Sequence, residues 1–532
     1  GKITALKNKD IYDVNLYPNF ILYSDQRAKI FTFPAAEDGA VLEYKYKVTI
    51  GNRTLWHAWS FQSKIPTLYS RFTLIKPVEW HLKYQVYGIH IQPDSIVNQV
   101  SSKSTYIWEA RNVPALQFEF GMPPGSELAA SIALAPNWSH SWDDITNWYH
   151  ELAAPRMKAG KEIRKYVESI TKDAPSDFEK IRKIREWIRK KVRYIAVSVG
   201  IGGYQPHFAD DVFTNQYGDC KDITTLICTM AKEAGIPGYQ AIVSTWQNGM
   251  PDTTLPTPFQ FNHVISYFPT LGDSGLWIDA TDKSCPIGQL PWYDQNLPVL
   301  VVGKNGEAKI IKTAKSAPEA NRTVVTWQIN LAADGAAQIA GREQRWDAPA
   351  AEMRESLSYF SNADKKRWLE LSLAQRCSGA ILDSFTVANV DEPEDPMSVM
   401  YSFHSKTFAL PQMGQITFKP HEIQSLQLPD FFRSDKRRHP IRFNYGAKTE
   451  LNLIVTLPEG WVMKNKNRKD SLSSEFGTAF WRWEKGESGL TIRSAYLLNG
   501  KDVSPQKYSS FQQFLDAVRE NDLREIVLVE EK

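Results

Sequence analysis

Hydrophobic residues in this chain recur at every second position near both ends of the sequence, but at helical spacing through its middle. Segments such as "VLEYKYKVTI", "YSRFTLIKP" and "WHLKYQVYGI" alternate and are rich in β-branched and aromatic residues, which is typical of strands. The alternation extends from about residue 18 to 135 and returns beyond residue 315 in "TVVTWQINL", "MSVMYSFHS" and "ELNLIVTLP". The pattern predicts β-rich regions on either side of a region that contains helices.

The length of the chain, 532 residues, exceeds the size at which a single hydrophobic core stops growing, so several domains are expected. We predict a multidomain protein with a β-sandwich-like N-terminal domain over residues 1–150 and an α+β core over residues 151–305. Residues 306–532 are predicted to form a mainly β region, interrupted by the helical insertion "PAAEMRESLSYFSNADKKRWLELSLAQR".

Three helix starts in the middle of the chain have clear signals. The segment "SWDDITNWYHELAAP" begins with a Ser-x-x-Asp pattern, and Ser176 with Glu179 predicts a capping box for the next helix. The helix after Gly218 has an apolar stripe that predicts extensive burial: Ile223, Leu226, Ile227, Met230 and Ala234. Gly235 and Pro237 are expected to end it.

Composition excludes several classes of protein. The 63 basic and 60 acidic residues give a net charge of +3, which does not favour nucleic acid or an anionic membrane. No apolar run approaches the roughly 20 residues that cross a bilayer, and the N-terminus lacks the pattern of a signal peptide. Of the four cysteines, Cys228, Cys285 and Cys377 are predicted to be buried free thiols.

The fourth cysteine, Cys220, follows Gly218 and Asp219 at the first turn of the predicted helix. Unpaired N–H groups and the partial positive charge at a helix N-terminus favour the thiolate, which is the reactive form of cysteine. The Cys220 N–H itself is a candidate donor to an oxyanion formed when the thiolate attacks a carbonyl group. The sequence therefore predicts a nucleophile at this position.

A thiolate nucleophile needs a base, and the base needs a group that orients it. His263 in "FNHVISYF" and Asp279 in "GLWIDAT" lie on strand-like segments downstream of the helix. If these strands are neighbours in an antiparallel sheet, the two side chains can point to one face near the helix N-terminus. A structural role for a lone histidine on an apolar strand remains the alternative.

The segments "YGDCKD", "AGIPGYQAIVST", "FNHVISYF" and "WIDATD" together resemble the core of the transglutaminase-like superfamily. "YGIHIQ", "GMPPG" and "SWDDITNWYHEL" resemble the N-terminal β domain that accompanies such cores in bacteria, and "LPEGWVM" resembles the C-terminal one. The resemblance implies a papain-like fold in which Cys220 is the nucleophile, His263 the base and then acid, and Asp279 the orienting carboxylate. It implies thioester formation from a peptide or protein amide, followed by transfer to water or to an amine.

Other site residues are less clearly indicated. A further oxyanion donor is expected upstream of Cys220, where Gln205 and Tyr194 are the candidates, and His207 lies nearby on the substrate side. Each of them also has an ordinary packing or turn role. A zinc site built from Cys220, His207 and His263 is not expected, since no closely spaced Cys or His pair supports it, and no cofactor is predicted.

Two functions compete at this point. The first is a cysteine-dependent enzyme acting on peptide or protein amides, either as a hydrolase or as a transglutaminase. The second is a non-catalytic binding or assembly protein that uses the core as a scaffold and binds a glycan or another cell-envelope component. The resemblance to exported bacterial proteins implies a periplasmic or otherwise exported location.

Overall fold

The computed structural model describes residues 3–15, 21–24, 27–34, 36–49, 58–198, 200–420, 423, 436–486 and 489–531, with backbone only at 21–24, 197–198 and 200. These residues form two compact units. The first comprises Gly1–Leu116, Pro124–Asp282 and Asn296–Thr313, and the second comprises Gln117–Pro123, Lys283–Gln295 and Ala314–Lys532. The predicted domain limits at residues 150 and 305 remain predictions.

The N-terminal part of the first unit is built from short strands. They are β1 (Ile11–Asn15), β2 (Ile21–Ser24), β3 (Arg27–Phe31), β4 (Trp59–Ser60), β5 (Thr67–Pro77), β6 (Tyr84–Tyr87), β7 (Asp94–Asn98), β8 (Lys103–Val113) and β9 (Ser131–Leu134), with the short helix α1 (Gly125–Leu128) before β9. Two antiparallel sheets, β5-β8-β7 and β4-β9-β6, share a core centred on Trp108 and Ile132, neither of which is exposed. This arrangement agrees with the predicted β-rich, sandwich-like region.

One predicted strand is wrong. The segment "VLEYKYKVTI" alternates, but residues 41–49 adopt no regular secondary structure. Val41, Tyr44 and Tyr46 are 93%, 67% and 73% exposed. Alternation specifies a strand only where one face is buried and the backbone finds a partner, and neither occurs here among the described residues.

The core of the first unit packs helices on a five-stranded sheet. The helices are α2 (Trp142–Ala153), α3 (Lys161–Thr171), α4 (Asp177–Lys191), α5 (Ala209–Asn215) and α6 (Cys220–Glu233), and short strands β10 (Arg193–Tyr194), β11 (Ala196–Ser198) and β12 (Tyr217–Gly218) connect them. The sheet comprises β13 (Tyr239–Val243), β14 (His263–Phe268), β15 (Leu276–Ile278), β16 (Pro298–Val302) and β17 (Ala308–Lys312), in the order β15-β14-β13-β16-β17 and antiparallel throughout.

The predicted helix signals are largely confirmed. Ser141 and Asp144 form a reciprocal capping box at the start of α2. Ser176 caps α4 through a bond from the Glu179 N–H, but the Glu179 side chain pairs with Arg182 instead of completing the predicted box. Helix α6 is buried on nearly all sides and ends at Glu233, two residues before Gly235, whose φ is +84°.

The second unit is mainly β. Its strands are β18 (Arg322–Leu331), β19 (Ala337–Arg345), β20 (Ile381–Ala388), β21 (Met397–Ser405), β22 (Leu410–Gln412), β23 (Gln415–Phe418), β24 (Ala447–Thr456), β25 (Trp461–Met463), β26 (Arg468–Ser473), β27 (Gly477–Lys485), β28 (Gly489–Leu498) and β29 (Ile526–Glu530). An eight-stranded sheet has the order β20-β21-β19-β18-β24-β28-β27-β26, and a four-stranded sheet has the order β22-β23-β29-β25. In the large sheet only the central pair, β18 and β24, is parallel.

Three helices complete the second unit. The predicted insertion forms two helices, α7 (Asp347–Ser358) and α8 (Asn362–Arg376), separated where Ser361 caps the second one. Helix α9 (Tyr508–Asp522) was not predicted, although it buries Tyr508, Phe511, Phe514 and Val518 at helical spacing. Trp327 and Trp481 are at most 1% exposed, so these aromatic side chains fill cores. Within the described residues, no helix combines the length and apolar character that a membrane crossing needs.

Candidate active site

Cys220 is the first residue of α6, and its surroundings explain why the chain turns into a helix there. Asp219 is the N-cap, and a reciprocal box with Asp222 satisfies two backbone N–H groups of the first turn. A Cβ atom at Gly218 would lie 2.6 Å from the Cβ atom of Asp222, so only glycine leaves room for this box. The box leaves the Cys220 side chain half-buried at the start of the helix.

The charged residues of this cap are themselves bonded and buried. The Lys221 ammonium group pairs with Asp219, and both side chains are about 95% buried. Burial raises the pKa of Asp219, although the Lys221 charge opposes that rise. His207 donates its backbone N–H to Asp222 over 2.8 Å, and its Nδ1 lies 3.1 Å from the other carboxylate oxygen. The structure therefore places His207 against the helix cap.

His263 and Asp279 form a hydrogen-bonded pair. His263 begins β14, Asp279 directly follows β15, and these two strands are antiparallel neighbours. The His263 Nε2 atom lies 3.1 Å from Asp279 Oδ2, and Asp279 Oδ1 accepts bonds from the N–H and the hydroxyl of Thr281 over 2.9 and 2.7 Å. With Nε2 facing the carboxylate, Nδ1 is the ring nitrogen left to exchange a proton with a nucleophile.

The charge state of the pair follows from these contacts. The Asp279 side chain is 1% exposed and that of His263 is 12% exposed. Burial alone would raise the pKa of Asp279, but the neighbouring His263 and the bonds from Thr281 lower it below its usual value. Asp279 therefore remains a carboxylate at neutral pH and stabilises a protonated His263 imidazole.

Two contacts bring the Cys220 end of α6 to this pair. Thr224, one helical turn after Cys220, donates its hydroxyl to the carbonyl of Val264, the residue next to His263, over 3.0 Å. Tyr194 lies close to both groups, since its hydroxyl interacts electrostatically with Cys220 and with Asp279. The segments that carry the three predicted residues thus meet at one place.

Tyr194 is held there by its strand. Strands β10 and β12 are parallel, with Tyr194 opposite Gly218, and the Ile195 N–H donates to the Gly218 carbonyl over 2.9 Å. Burial, followed by the charges of Cys220, raises the pKa of Tyr194 well above its usual value, so its hydroxyl keeps its proton. The roles of Tyr194 and of the Cys220 N–H as oxyanion donors stay predictions.

The other candidate donor, Gln205, lies just after a short 3₁₀ turn. Its N–H donates to the Ile201 carbonyl over 2.9 Å, and its side chain makes no hydrogen bond within the described part of the chain. A role for Gln205 stays a prediction.

Family models identify three parts of the sequence. Residues 1–117 match the "Domain of Unknown Function" DUF3857, residues 164–260 match the "Transglutaminase-like superfamily", and residues 414–528 match DUF3858. The chain has a transglutaminase-like core between these two flanking domains. The superfamily match includes Cys220 but ends three residues before His263.

One solved structure shows the same fold. A candidate protease from Parabacteroides distasonis has a TM-score of 0.57 and 15% identity, covering 88% of this chain and 74% of that one. A candidate cysteine protease from Cytophaga hutchinsonii has 15% identity and a TM-score of 0.19, covering 42% of this chain and 74% of that one. No curated protein matches the chain.

The transglutaminase-like core carries an aromatic cluster beside the nucleophile that the sequence did not indicate. Cys220 packs against the cluster that contains Ile145 and Tyr149 of α2 and Val264 of β14. Several partly buried aromatic side chains line the same cluster: Trp138, Trp142, Trp148 and Phe261. Trp142 and Trp148 belong to "SWDDITNWYHEL", whose sequence indicates only a helix start and the family resemblance.

The loop that leads into His263 is bound by residues from earlier in the chain. It runs from 244 to 262 and connects β13 to β14. Five side chains hold it through hydrogen bonds of 2.6 to 2.8 Å: Tyr87, Ser126, Glu127, Ser139 and Trp142. The N-terminal part of the first unit therefore positions the segment that ends at the predicted base.

Proposed function

We propose that this protein is a cysteine-dependent enzyme that cleaves peptide or protein amides through a thioester on Cys220. The observation that supports this best is the His263–Asp279 pair, with 3.1 Å between Nε2 and Oδ2, held beside a half-buried cysteine at a helix N-terminus. A purely structural histidine has no need of a buried carboxylate, and a purely structural cysteine has no need of this position.

The proposed reaction follows from the arrangement of these groups. The Cys220 proton passes to His263 Nδ1, and the sulfur attacks the carbonyl carbon of the amide to form a tetrahedral intermediate. The protonated imidazole, stabilised by the Asp279 carboxylate, then donates its proton to the leaving nitrogen as the C–N bond breaks. Water or an amine attacks the resulting thioester, His263 accepts its proton, and the Cys220 thiol is restored.

Both acyl acceptors proceed through the same thioester. Hydrolysis gives a carboxylic acid, whereas transfer to an amine gives a new amide. The name of the structural neighbour from Parabacteroides distasonis, a candidate protease, favours water as the acceptor and a protein as the substrate. Product analysis with and without an added primary amine separates the two outcomes.

The first test is the rate at which iodoacetamide alkylates Cys220 at pH 6, where an ordinary thiol is almost entirely protonated. We expect alkylation at least tenfold faster than that of a free cysteine, confined to Cys220, and reduced toward the free rate in His263→Ala. His90→Ala is the matched control, because His90 is an exposed histidine of the N-terminal part. A wild-type rate no faster than that of free cysteine would favour the non-catalytic binding protein.

A further inference from the structure

Among the residues that the structure describes, the buried Tyr149 hydroxyl has no hydrogen-bond partner. Tyr149 is 3% exposed, and its oxygen makes no hydrogen bond within the described residues. Nearly all buried hydroxyl groups are bonded in native proteins, because an unpaired one loses its bonds to water without replacement. An orphaned hydroxyl of this kind therefore calls for an explanation beyond packing.

The position of this hydroxyl relates it to Cys220. Tyr149 lies on α2 between Ile145 and Ala153, and these three residues belong to the buried cluster against which Cys220 packs. Burial raises the pKa of Tyr149 well above its usual value, and among its charged neighbours Cys220 contributes most, followed by Asp219. Tyr149 is therefore a neutral donor beside the start of α6.

Helix α2 holds this donor in place. Asp143 accepts the Ala308 N–H over 2.8 Å, which ties the first turn of α2 to β17. The Trp142 indole N–H donates to the Thr253 carbonyl over 2.8 Å, and the capping box at Ser141 fixes the start of the helix. A donor on an anchored helix is preorganised, which is the property that makes a hydrogen bond effective in a transition state.

The reaction proposed above needs such a donor. When the Cys220 sulfur attacks a carbonyl group, the S–C bond forms and the carbonyl electron pair moves to the oxygen, which becomes an oxyanion. The Cys220 N–H is the main-chain group expected to meet that oxygen, and a side-chain donor would supply a second hydrogen bond. Within the described residues the Tyr149 hydroxyl bonds to no protein group, so its proton is available to such an oxyanion.

The geometry points to Tyr149 as the side chain that donates a hydrogen bond to the oxyanion of the intermediate on Cys220. This inference rests on the proposed cysteine-dependent function and adds to it a residue from outside the matched superfamily segment. The Tyr149 proton is shared with the oxyanion and stays on the phenol, so no oxidation or net proton transfer is involved. When the intermediate collapses, the oxygen returns to a carbonyl and the Tyr149 hydroxyl is released.

Two reactions of the same sulfur distinguish this role from a general effect on the thiol. Acylation by p-nitrophenyl acetate passes through a tetrahedral oxyanion, whereas alkylation by iodoacetamide displaces iodide from a methylene carbon and forms none. Tyr149→Phe removes only the hydroxyl. We expect it to slow acylation of Cys220 by a factor of about 10 to 100, within the range found when one oxyanion donor is lost, and to leave the alkylation rate unchanged.

The control is Tyr267→Phe, whose hydroxyl bonds to the Ser274 carbonyl in the same core and does not approach Cys220. We expect it to leave both rates unchanged. The melting temperature of Tyr149→Phe should equal or exceed that of the wild type, since the removed hydroxyl has no partner to lose.

Each result decides between the alternatives. Equal acylation rates in Tyr149→Phe and wild type would overturn the role of Tyr149 while leaving the cysteine chemistry intact. A parallel fall in acylation and alkylation, or a lowered melting temperature, would assign Tyr149 a structural role instead. If wild-type Cys220 reacts with neither reagent faster than free cysteine, the proposed function fails, and the inference fails with it.

Discussion

At the scale of single residues, the cap of α6 shows how closely the predicted nucleophile depends on its neighbours. Gly218, Asp219 and Asp222 do not take part in the proposed chemistry, yet they determine where the helix starts and therefore where Cys220 lies. The sequence identified Cys220 from its position alone. The reason for the preceding glycine, a close approach to a side chain four residues later, is visible only in three dimensions.

We predict that Gly218→Ala both destabilises the first unit and slows the alkylation of Cys220. The new Cβ atom would lie 2.6 Å from Asp222 Cβ, which forces the cap apart, and overpacking of this kind costs about 1–3 kcal/mol. Gly203→Ala is the matched control, because a Cβ atom there meets nothing within 4 Å. Urea unfolding and the iodoacetamide rate measure the two effects. Wild-type values for both in Gly218→Ala would contradict this account of the cap.

At the scale of elements, the structure separates what local pattern can predict from what it cannot. Periodicity and composition predict helices α4 and α6 and the strand segments at His263 and Asp279, and the structure confirms these elements. The predicted burial of three cysteines is also confirmed: Cys228, Cys285 and Cys377. These features depend on residues near one another in sequence. The order of strands and the contacts of the loop before His263 depend on partners that are distant in sequence, so local patterns could not predict them.

Residues that sequence patterns did not identify illustrate the same limit of local prediction. Nothing in "NWYHEL" distinguishes the Tyr149 hydroxyl from an ordinary buried phenol, because its lack of a partner results from packing between α2, the sheet and α6. Conversely, "VLEYKYKVTI" has the pattern of a strand but stays exposed. Periodicity reports which face could be buried, whereas burial itself requires another element to cover that face.

The bonds to the loop before His263 give a prediction at this scale. The Tyr87 hydroxyl of β6 donates to Asp252 Oδ2 over 2.7 Å, and Asp252 also bonds Thr254 and Gln260 within the loop. Burial opposes ionisation, but the bonds from Thr254 and Tyr87 keep the pKa of Asp252 below its usual value. Because a hydrogen bond to a charged group contributes about 1.5–3 kcal/mol, Tyr87→Phe should release the loop locally.

The measurement is amide hydrogen exchange over residues 244–262, which we expect to accelerate by about 10- to 100-fold in Tyr87→Phe. Tyr84→Phe is the matched control on the same strand, since the Tyr84 hydroxyl lies 3.4 Å from Gln92 and does not reach the loop. Unchanged exchange in Tyr87→Phe would mean that the other four side chains hold the loop without it. Equal acceleration in both variants would indicate a general loosening of the strand.

At the scale of the whole molecule, a buried carboxyl group makes the stability of the second unit depend on pH. The second unit contains Asp522, which is 8% exposed and accepts hydrogen bonds from the Trp481 indole and the Tyr496 hydroxyl over 2.7 and 2.6 Å. Burial raises the pKa of Asp522 to about 6, although these bonds and the nearby Arg468 oppose the rise.

The raised pKa of Asp522 determines whether the free energy of unfolding rises or falls with pH. The folded unit binds the Asp522 proton more tightly than the unfolded chain, whose pKa is near 3.8, so the stabilisation is complete below about pH 4 and is lost as pH rises through about 6. The difference of about two pKa units corresponds to at most about 3 kcal/mol. Between pH 4 and 7 the stabilisation of the second unit by this residue is therefore lost.

We predict that Asp522→Asn removes this dependence. The amide oxygen can accept the same two hydrogen bonds and carries no charge, so the variant should match the wild type at pH 4 and exceed its free energy of unfolding at pH 7.5 by up to about 3 kcal/mol. Urea unfolding followed at several pH values, with Trp481 as an internal fluorophore, measures the difference.

The control is Asp516→Asn on the exposed side of α9, where Asp516 pairs with Arg519. Its free energy of unfolding should change with pH in parallel with that of the wild type. If the free energy of unfolding of Asp522→Asn changes with pH in parallel with that of the wild type, Asp522 keeps its charge in the folded unit because Arg468 stabilises it. The pH dependence of stability would then come from other residues.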